Sequence, residues 1–201
     1  MKPKLTLGLL TVGLMLGCVP SLNPLYTEQD LIFDPALVGS WSGDNEKETW
    51  LFEKSGDKAY KLKQTDEDGH TALFEAHLFK LKDYKFLDLY LVQPWEQENK
   101  ESKMNGYAGF ALIPAHMFLK VTSVEPTLQM AFLDPDWLKD VLEKDPKAIR
   151  HKKLASEDNK DDRIALTAET KDLQQFILKH ITDKKIFGEP GEFKRKKESN
   201  P

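Results

Sequence analysis

The chain predicts an α+β fold: an antiparallel β-meander or barrel of about seven or eight strands, followed by two C-terminal helices. Three observations predict it. Between Leu37 and Leu133, apolar and polar residues alternate with the two-residue period of half-buried strands. Turn signals interrupt that alternation, among them Gly43-Asp44-Asn45, Ser55-Gly56-Asp57 and Asp68-Gly69. After Leu133 the period becomes helical: Trp137, Leu138, Val141 and Leu142 form one stripe, and Leu173, Phe176, Ile177, His180 and Ile181 form another.

The elements follow in order. Leu37 to Ser42 is the first strand. Glu48 to Lys54 sets Trp50 and Phe52 against Thr49, Leu51 and Glu53, and Lys58 to Thr65 alternates through Tyr60 and Leu62. Thr71 to Leu81 and Tyr84 to Val92 make a longer pair joined by Lys82-Asp83. Residues 93–106, with Pro94, several charges and Asn105-Gly106, form a polar connection of the length that functional loops have. Tyr107 to Val124 returns to strand character, with Pro114 expected to kink it or hold it at an edge, and Thr127 to Leu133 follows. Asp134 is placed to cap a helix that starts at Pro135, carries Asp136 in its first turn and ends at Pro146. Residues 151–162 read as a charged loop and Arg163 to Leu166 as a short extended piece, after which Thr170 is expected to cap the second helix. Gly188-Glu189-Pro190-Gly191 and the basic run Lys194 to Lys197 read as a disordered tail.

The N-terminus carries the most specific signal. Lys2 and Lys4 precede an uncharged run from Leu5 to Leu16, then Gly17 and Cys18, the single cysteine of the chain. A basic, then apolar, then small-residue order is that of a secretory signal. The run falls short of the ~20 apolar residues that a membrane-spanning helix takes. Met15-Leu16-Gly17-Cys18 resembles the lipobox of bacterial lipoproteins, in which the cysteine sulfur is acylated and cleavage leaves cysteine as the first residue. The resemblance implies a signal peptide over 1–17 and lipid, palmitate among its acyl groups, on Cys18. With Val19 rather than aspartate next, it also implies an outer-membrane address facing the periplasm in a host with two membranes. The expected organisation is then a signal peptide at 1–17, a lipidated tether at 18–36 that becomes ordered through apolar docking points (Leu22, Leu25, Tyr26, Leu31, Ile32 and Phe33), one β-rich domain with C-terminal helices at 37–187, and a disordered basic tail at 188–201.

Composition narrows the function classes. Removing residues 1–17 takes Lys2 and Lys4 from the 29 basic residues and none from the 33 acidic ones, so the formal charge moves from −4 to −6. Without a sustained basic face, nucleic acid is a poor partner. A lone cysteine gives no disulfide, so stability rests on packing, for which four tryptophans and 40% hydrophobic residues suffice.

Gly39-Ser40-Trp41 is a G-x-W on the first strand. It resembles the opening motif of lipocalins and other small meander barrels, and with the hairpin pattern to Val92 the body resembles uncharacterised bacterial lipoproteins with a lipocalin-like domain. The lipocalin Thr-Asp-Tyr motif does not occur, and two C-terminal helices exceed the usual one. The resemblance implies that Trp41 plugs one end of a barrel able to hold an apolar ligand. Trp41, Trp50, Phe52, Phe86 and Tyr90 are expected to line or plug the core.

Glu75 and His77 share one face of their strand, and Asp88 lies between Phe86 and Tyr90 on the next. A tight connection at Leu81–Asp83 would bring the three together, with His116 as a fourth candidate. Such residues bind a metal, contact a polar ligand group, satisfy one another structurally, or face outward. Asp66, Asp68, Gly69 and Glu75 also sit at calcium-loop spacings after Gln64, but strand-like flanks favour a charged hairpin turn. No H-E-x-x-H, P-loop, G-x-G-x-x-G or nucleophile elbow occurs, so no catalytic residue, metal or cofactor is assigned. The expectation is a lipid-anchored, non-catalytic envelope protein binding a small apolar ligand or an envelope partner. Its alternatives are a structural or assembly lipoprotein with a filled core and, ranked last, a metal-dependent enzyme using Glu75, His77 and Asp88.

Overall fold

The computed structural model describes residues 18–43, 46–93, 113–154 and 163–196. The expected signal peptide and most of the 93–106 connection lie outside these residues, as do much of the 151–162 loop and the end of the tail. Strands β1 (Gly39–Ser42), β2 (Thr49–Ser55), β3 (Ala59–Thr65), β4 (Thr71–Leu81), β5 (Tyr84–Gln93), β6 (His116–Ser123) and β7 (Thr127–Phe132) run as an antiparallel meander. Helix α1 (Pro135–Lys144), the hairpin β8 (His151–Leu154) and β9 (Arg163–Leu166), and helix α2 (Thr170–His180) come next. The last strand, β10 (Gly191–Arg195), inserts between β7 and β1 and closes an eight-stranded barrel. The fold is α+β and lipocalin-like, as the alternation and the two helical stripes predict.

The local chemistry explains most elements. The β3–β4 turn is held by the Asp66 carboxylate, which accepts from the amides of Asp68 (3.0 Å) and His70 (2.8 Å), so the calcium-spaced acids form a charged hairpin. Asp134 caps α1 by accepting from Trp137 N at 2.8 Å, with Pro135 at the first helical position. The expected Thr170 cap is displaced by one residue: Glu169 occupies the cap, and the Thr170 hydroxyl instead donates to Pro24 O at 2.8 Å.

Two expectations are corrected. The helices stand between β7 and β10 rather than after the barrel. Residues 191–195, expected within the disordered tail 188–201, form β10. Phe193 there is buried against Trp50 at 5.5 Å while Glu192 and Lys194 face out, and a single apolar residue among charges hides a strand from any pattern search. Residues 18–36, expected as a tether that becomes ordered, are docked from Val19 onward. Ser21 exchanges backbone hydrogen bonds with His116 (2.9 and 2.8 Å), and Leu25 and Leu31 are buried. Residues 19–34 are therefore a strap laid over the barrel wall.

Two cores result. The barrel interior holds one contiguous cluster that includes Trp41, Trp50, Phe52, Tyr60, Leu87 and Phe193. A second cluster lies outside the wall, where the strap, α1, α2 and β9 cover Phe79, Phe86 and Phe118. Phe86 thus belongs to the outer core and not to the interior, because it alternates with the inward-facing Leu87.

One barrel end is closed by the strap. A 3-10 turn at Pro35–Leu37 places Leu37 O to accept from Trp41 Nε1 at 2.9 Å. The Tyr60 hydroxyl, rising from the interior, accepts from Asp34 N (2.7 Å) and donates to Asp34 O (3.1 Å). Arg195 lies over the Trp41 ring at 4.3 Å and donates to Val38 O (2.7 Å) and to Ala36 O. Gly39, at φ +130°, is where that guanidinium crosses the first strand, and a Cβ there would collide with Arg195 Nη1. We expect Gly39→Ala to lose stability toward the upper end of about 1–3 kcal/mol in urea unfolding. Gly56→Ala, in open space at φ +76°, should lose only about 1 kcal/mol.

Candidate functional site

The Lys82-Asp83 turn, with Lys82 at φ 52°, sets the β4–β5 register so that His77 faces Asp88 and Glu75 faces Tyr90. On the other side of β5, Asp88 faces Phe118 and Tyr90 faces His116. Glu75, His77, Asp88 and His116 are therefore neighbours. They lie on the outer face of the wall, not within the barrel, since their strand neighbours Ala76, Leu78, Leu87 and Leu89 take the interior; His77 and Asp88 are buried beneath the strap, and Glu75 is exposed.

Asp88 is fully buried (0% exposed), so both of its oxygens need partners. Oδ1 accepts from His116 Nδ1 at 2.6 Å and Oδ2 from the strap amide of Leu25 at 3.3 Å. His116 in turn packs on Tyr90, ring centroids 4.7 Å apart. His77 Nδ1 meets the Tyr26 hydroxyl at 3.1 Å, and its Nε2 lies 3.3 Å from Glu75 Oε1. Burial, reinforced by the carboxylates of Asp88, Glu75 and Glu28, raises the Tyr26 phenol above its ordinary value. The Glu75 carboxylate can only accept, so the His77 Nε2 beside it carries a proton. Each half of the cluster ends on the strap, Asp88 at Leu25 and His77 at Tyr26.

A second polar point joins the strap to α2. Gln174 Nε2 donates to Leu25 O (3.0 Å) and to Asp30 Oδ2 (2.9 Å), and Asp30 also accepts from the Thr27 amide and hydroxyl, each at 2.7 Å. Burial alone would raise the Asp30 carboxyl, but the hydrogen bonds from Thr27 and Gln174 outweigh it and hold the group below its ordinary value.

Among the described residues, no group of three or more His, Cys, Asp or Glu is placed to hold a metal ion. The four residues do come together: His77, Asp88 and His116 turn polar atoms toward neighbouring side chains or the strap, and Glu75 meets His77 from the exposed side. Trp41, the remaining ligand candidate, is buried under Arg195 at the closed end. Cys18 is a free thiol at the start of the described chain, and burial pushes it up to about 11. The sequence marks Tyr26 only as an apolar docking point and Arg195 only as part of a basic tail, because the polar or aromatic partner of each is more than fifty residues away in the chain. The G-x-W glycine was the only sign of the second, since its missing Cβ admits the guanidinium. Among the described residues no helix is long and apolar enough to cross a membrane. No family model, curated protein or solved structure matches the chain.

Asp88→Ala strands His116 Nδ1 and Leu25 N in a buried site. It should cost about 3–5 kcal/mol in urea unfolding and expose residues 19–30 to protease. Asp30, held below its ordinary value, contributes stability that is complete above that value (about 3.9 for a free aspartate) and is lost as pH falls through the lower folded value. The gap in melting temperature between wild type and Asp30→Asn should therefore be widest at neutral pH and shrink in acid, as pH-resolved melts would show.

Proposed function

We propose that this protein is a lipid-anchored bacterial envelope protein, outer-membrane in address, acting without catalysis by binding an envelope partner on its barrel surface. The observation that carries the partner over an apolar ligand is the interior cluster. Trp50 packs on Phe52 at 6.2 Å and on Phe193 at 5.5 Å, and Phe52 meets Tyr60 edge-on at 6.2 Å. These rings line one side of the interior, and inward side chains of the other strands, Leu78, Leu87, Leu119 and Leu128 among them, join the same cluster with no accessible surface left, where a carrier would keep space. At the opposite end from Arg195, Phe74, Met117 and Phe132 are only partly buried against that cluster. This rim is the place that favours the second reading, a small apolar ligand.

The anchor rests on the lipobox-like Met15 to Cys18 and on the basic, then apolar, leader. Expressed as the full chain in a bacterial host, the protein extracted from membranes should have lost residues 1–17 and gained acyl mass on Cys18. Cys18→Ser should remain unprocessed and leave the outer-membrane fraction. Unchanged processing and fractionation in that variant would remove the anchor. Native mass spectrometry of the extracted protein should show no apolar adduct, whereas a stoichiometric one would favour the ligand reading.

A further inference from the structure

We propose that the mature protein rests directly on the bilayer that holds its lipid, with Leu22, Val92, Ile113 and Leu154 entering the headgroup region. The inference depends on the reading of Cys18 as the acylated residue.

The first argument is the lack of slack. Val19, one residue after Cys18, is 5% exposed, and Ser21 is fully buried and hydrogen-bonded to His116 on both backbone sides. An extended chain advances at most about 3.6 Å per residue, so Cys18 lies within about 11 Å of a fixed point of the domain. The headgroup layer is itself only about 5–8 Å deep on each side. A cysteine whose acyl chains lie in hydrocarbon therefore draws the adjoining protein surface onto the membrane.

The second argument is where apolar surface remains. Among the described residues the large exposed apolar side chains are Leu22, Val92, Ile113 and Leu154, at 48%, 61%, 74% and 41% exposure. Leu22 lies on the anchor-bearing segment itself, and sheet pairing places the other three on the elements that flank it, Ile113 and Val92 on one side and Leu154 on the other. Ser21 pairs with His116, three residues after Ile113, and His116 pairs with Tyr90, two residues before Val92. On its other side Ser21 pairs in parallel with Leu166, and Arg163, three residues earlier, pairs with Leu154. An apolar fringe along the segment that carries the anchor matches an interfacial membrane contact. Charge does not drive it: β8 and β9 present Lys152, Lys153 and Arg163, but the residues joining them include Glu157, Asp158, Asp161 and Asp162.

Because Cys18 is the sole cysteine and its sulfur is occupied in the acylated protein, one introduced thiol can be labelled alone. Ile113→Cys, Leu154→Cys and, as a control in the β2–β3 turn, Asp57→Cys would each be made in the full chain. Each acylated product would carry an environment-sensitive fluorophore in phosphatidylcholine vesicles. A lipid-borne quencher should quench the labels at 113 and 154 at least about twofold more than the label at 57. Adding anionic lipid should change this little. Equal quenching at all three sites on vesicle-bound, acylated protein would overturn the contact and leave the anchor standing. An unmodified Cys18 by intact mass, with no vesicle binding, would overturn the anchor and this inference together.

Discussion

The architecture depends on one guanidinium. Arg195, on the last strand, lies over the first strand's tryptophan, Trp41, and donates to the carbonyls of Ala36 and Val38. It thereby joins β1, β10 and the 3-10 turn that follows the strap, where the first and last strands of the barrel pair. A flat cation with several donors in one plane suits this position, since it covers a ring with its face and reaches two carbonyls with its edge. The same crossing explains the glycine at 39, which leaves room for the side chain. Closure also removes the sheet edges that a meander would otherwise expose.

With the barrel closed, its wall has two apolar faces and needs two covers. The interior face is satisfied by its own side chains. The outer face along β4 to β7 is covered by the helices and the strap, and there the sequence places a buried carboxylate, Asp88, among aromatic and aliphatic groups. A buried carboxylate left unpaired is strongly destabilising, so the strap amide of Leu25 and the ring of His116 are structural requirements of that site. The histidine–carboxylate cluster is thus a fastening for the N-terminal segment. That role accounts for its burial, its distance from the barrel interior and its inward-turned polar atoms.

Much of this was legible in the sequence. The alternating strands of the meander, their turns, the Asp134-Pro135 start of α1 and the apolar stripes of both helices obey local rules, and local rules can be read without a partner. The proximity of Glu75, His77 and Asp88 was also legible, because a two-residue turn fixes cross-strand register. Whether that face points inward or outward was not, since both faces of this wall are apolar. Phe86 and Leu87 look equally like core residues, and they are core residues of different cores. β10 escaped for a different reason: it is stabilised by residues far away in the chain, and its glycine, proline and lysine density locally reads as disorder. The strap's apolar docking points were legible, but not the wall they dock on.

A docked strap changes what an anchor at Cys18 means. A flexible tether would let the barrel sample many orientations, whereas a segment fixed from Val19 would tie the orientation of the domain to that of the lipid proposed on Cys18. The central claim is that residues 19–34 are part of the folded domain, and hydrogen exchange of their amides tests it most directly. Ser21, Leu22, Leu25 and Ile32, all bonded to the body of the protein, should exchange as slowly as amides in β4 and β5. Exchange of these four at the rate of an unstructured peptide, while β4 and β5 remain protected, would contradict the account.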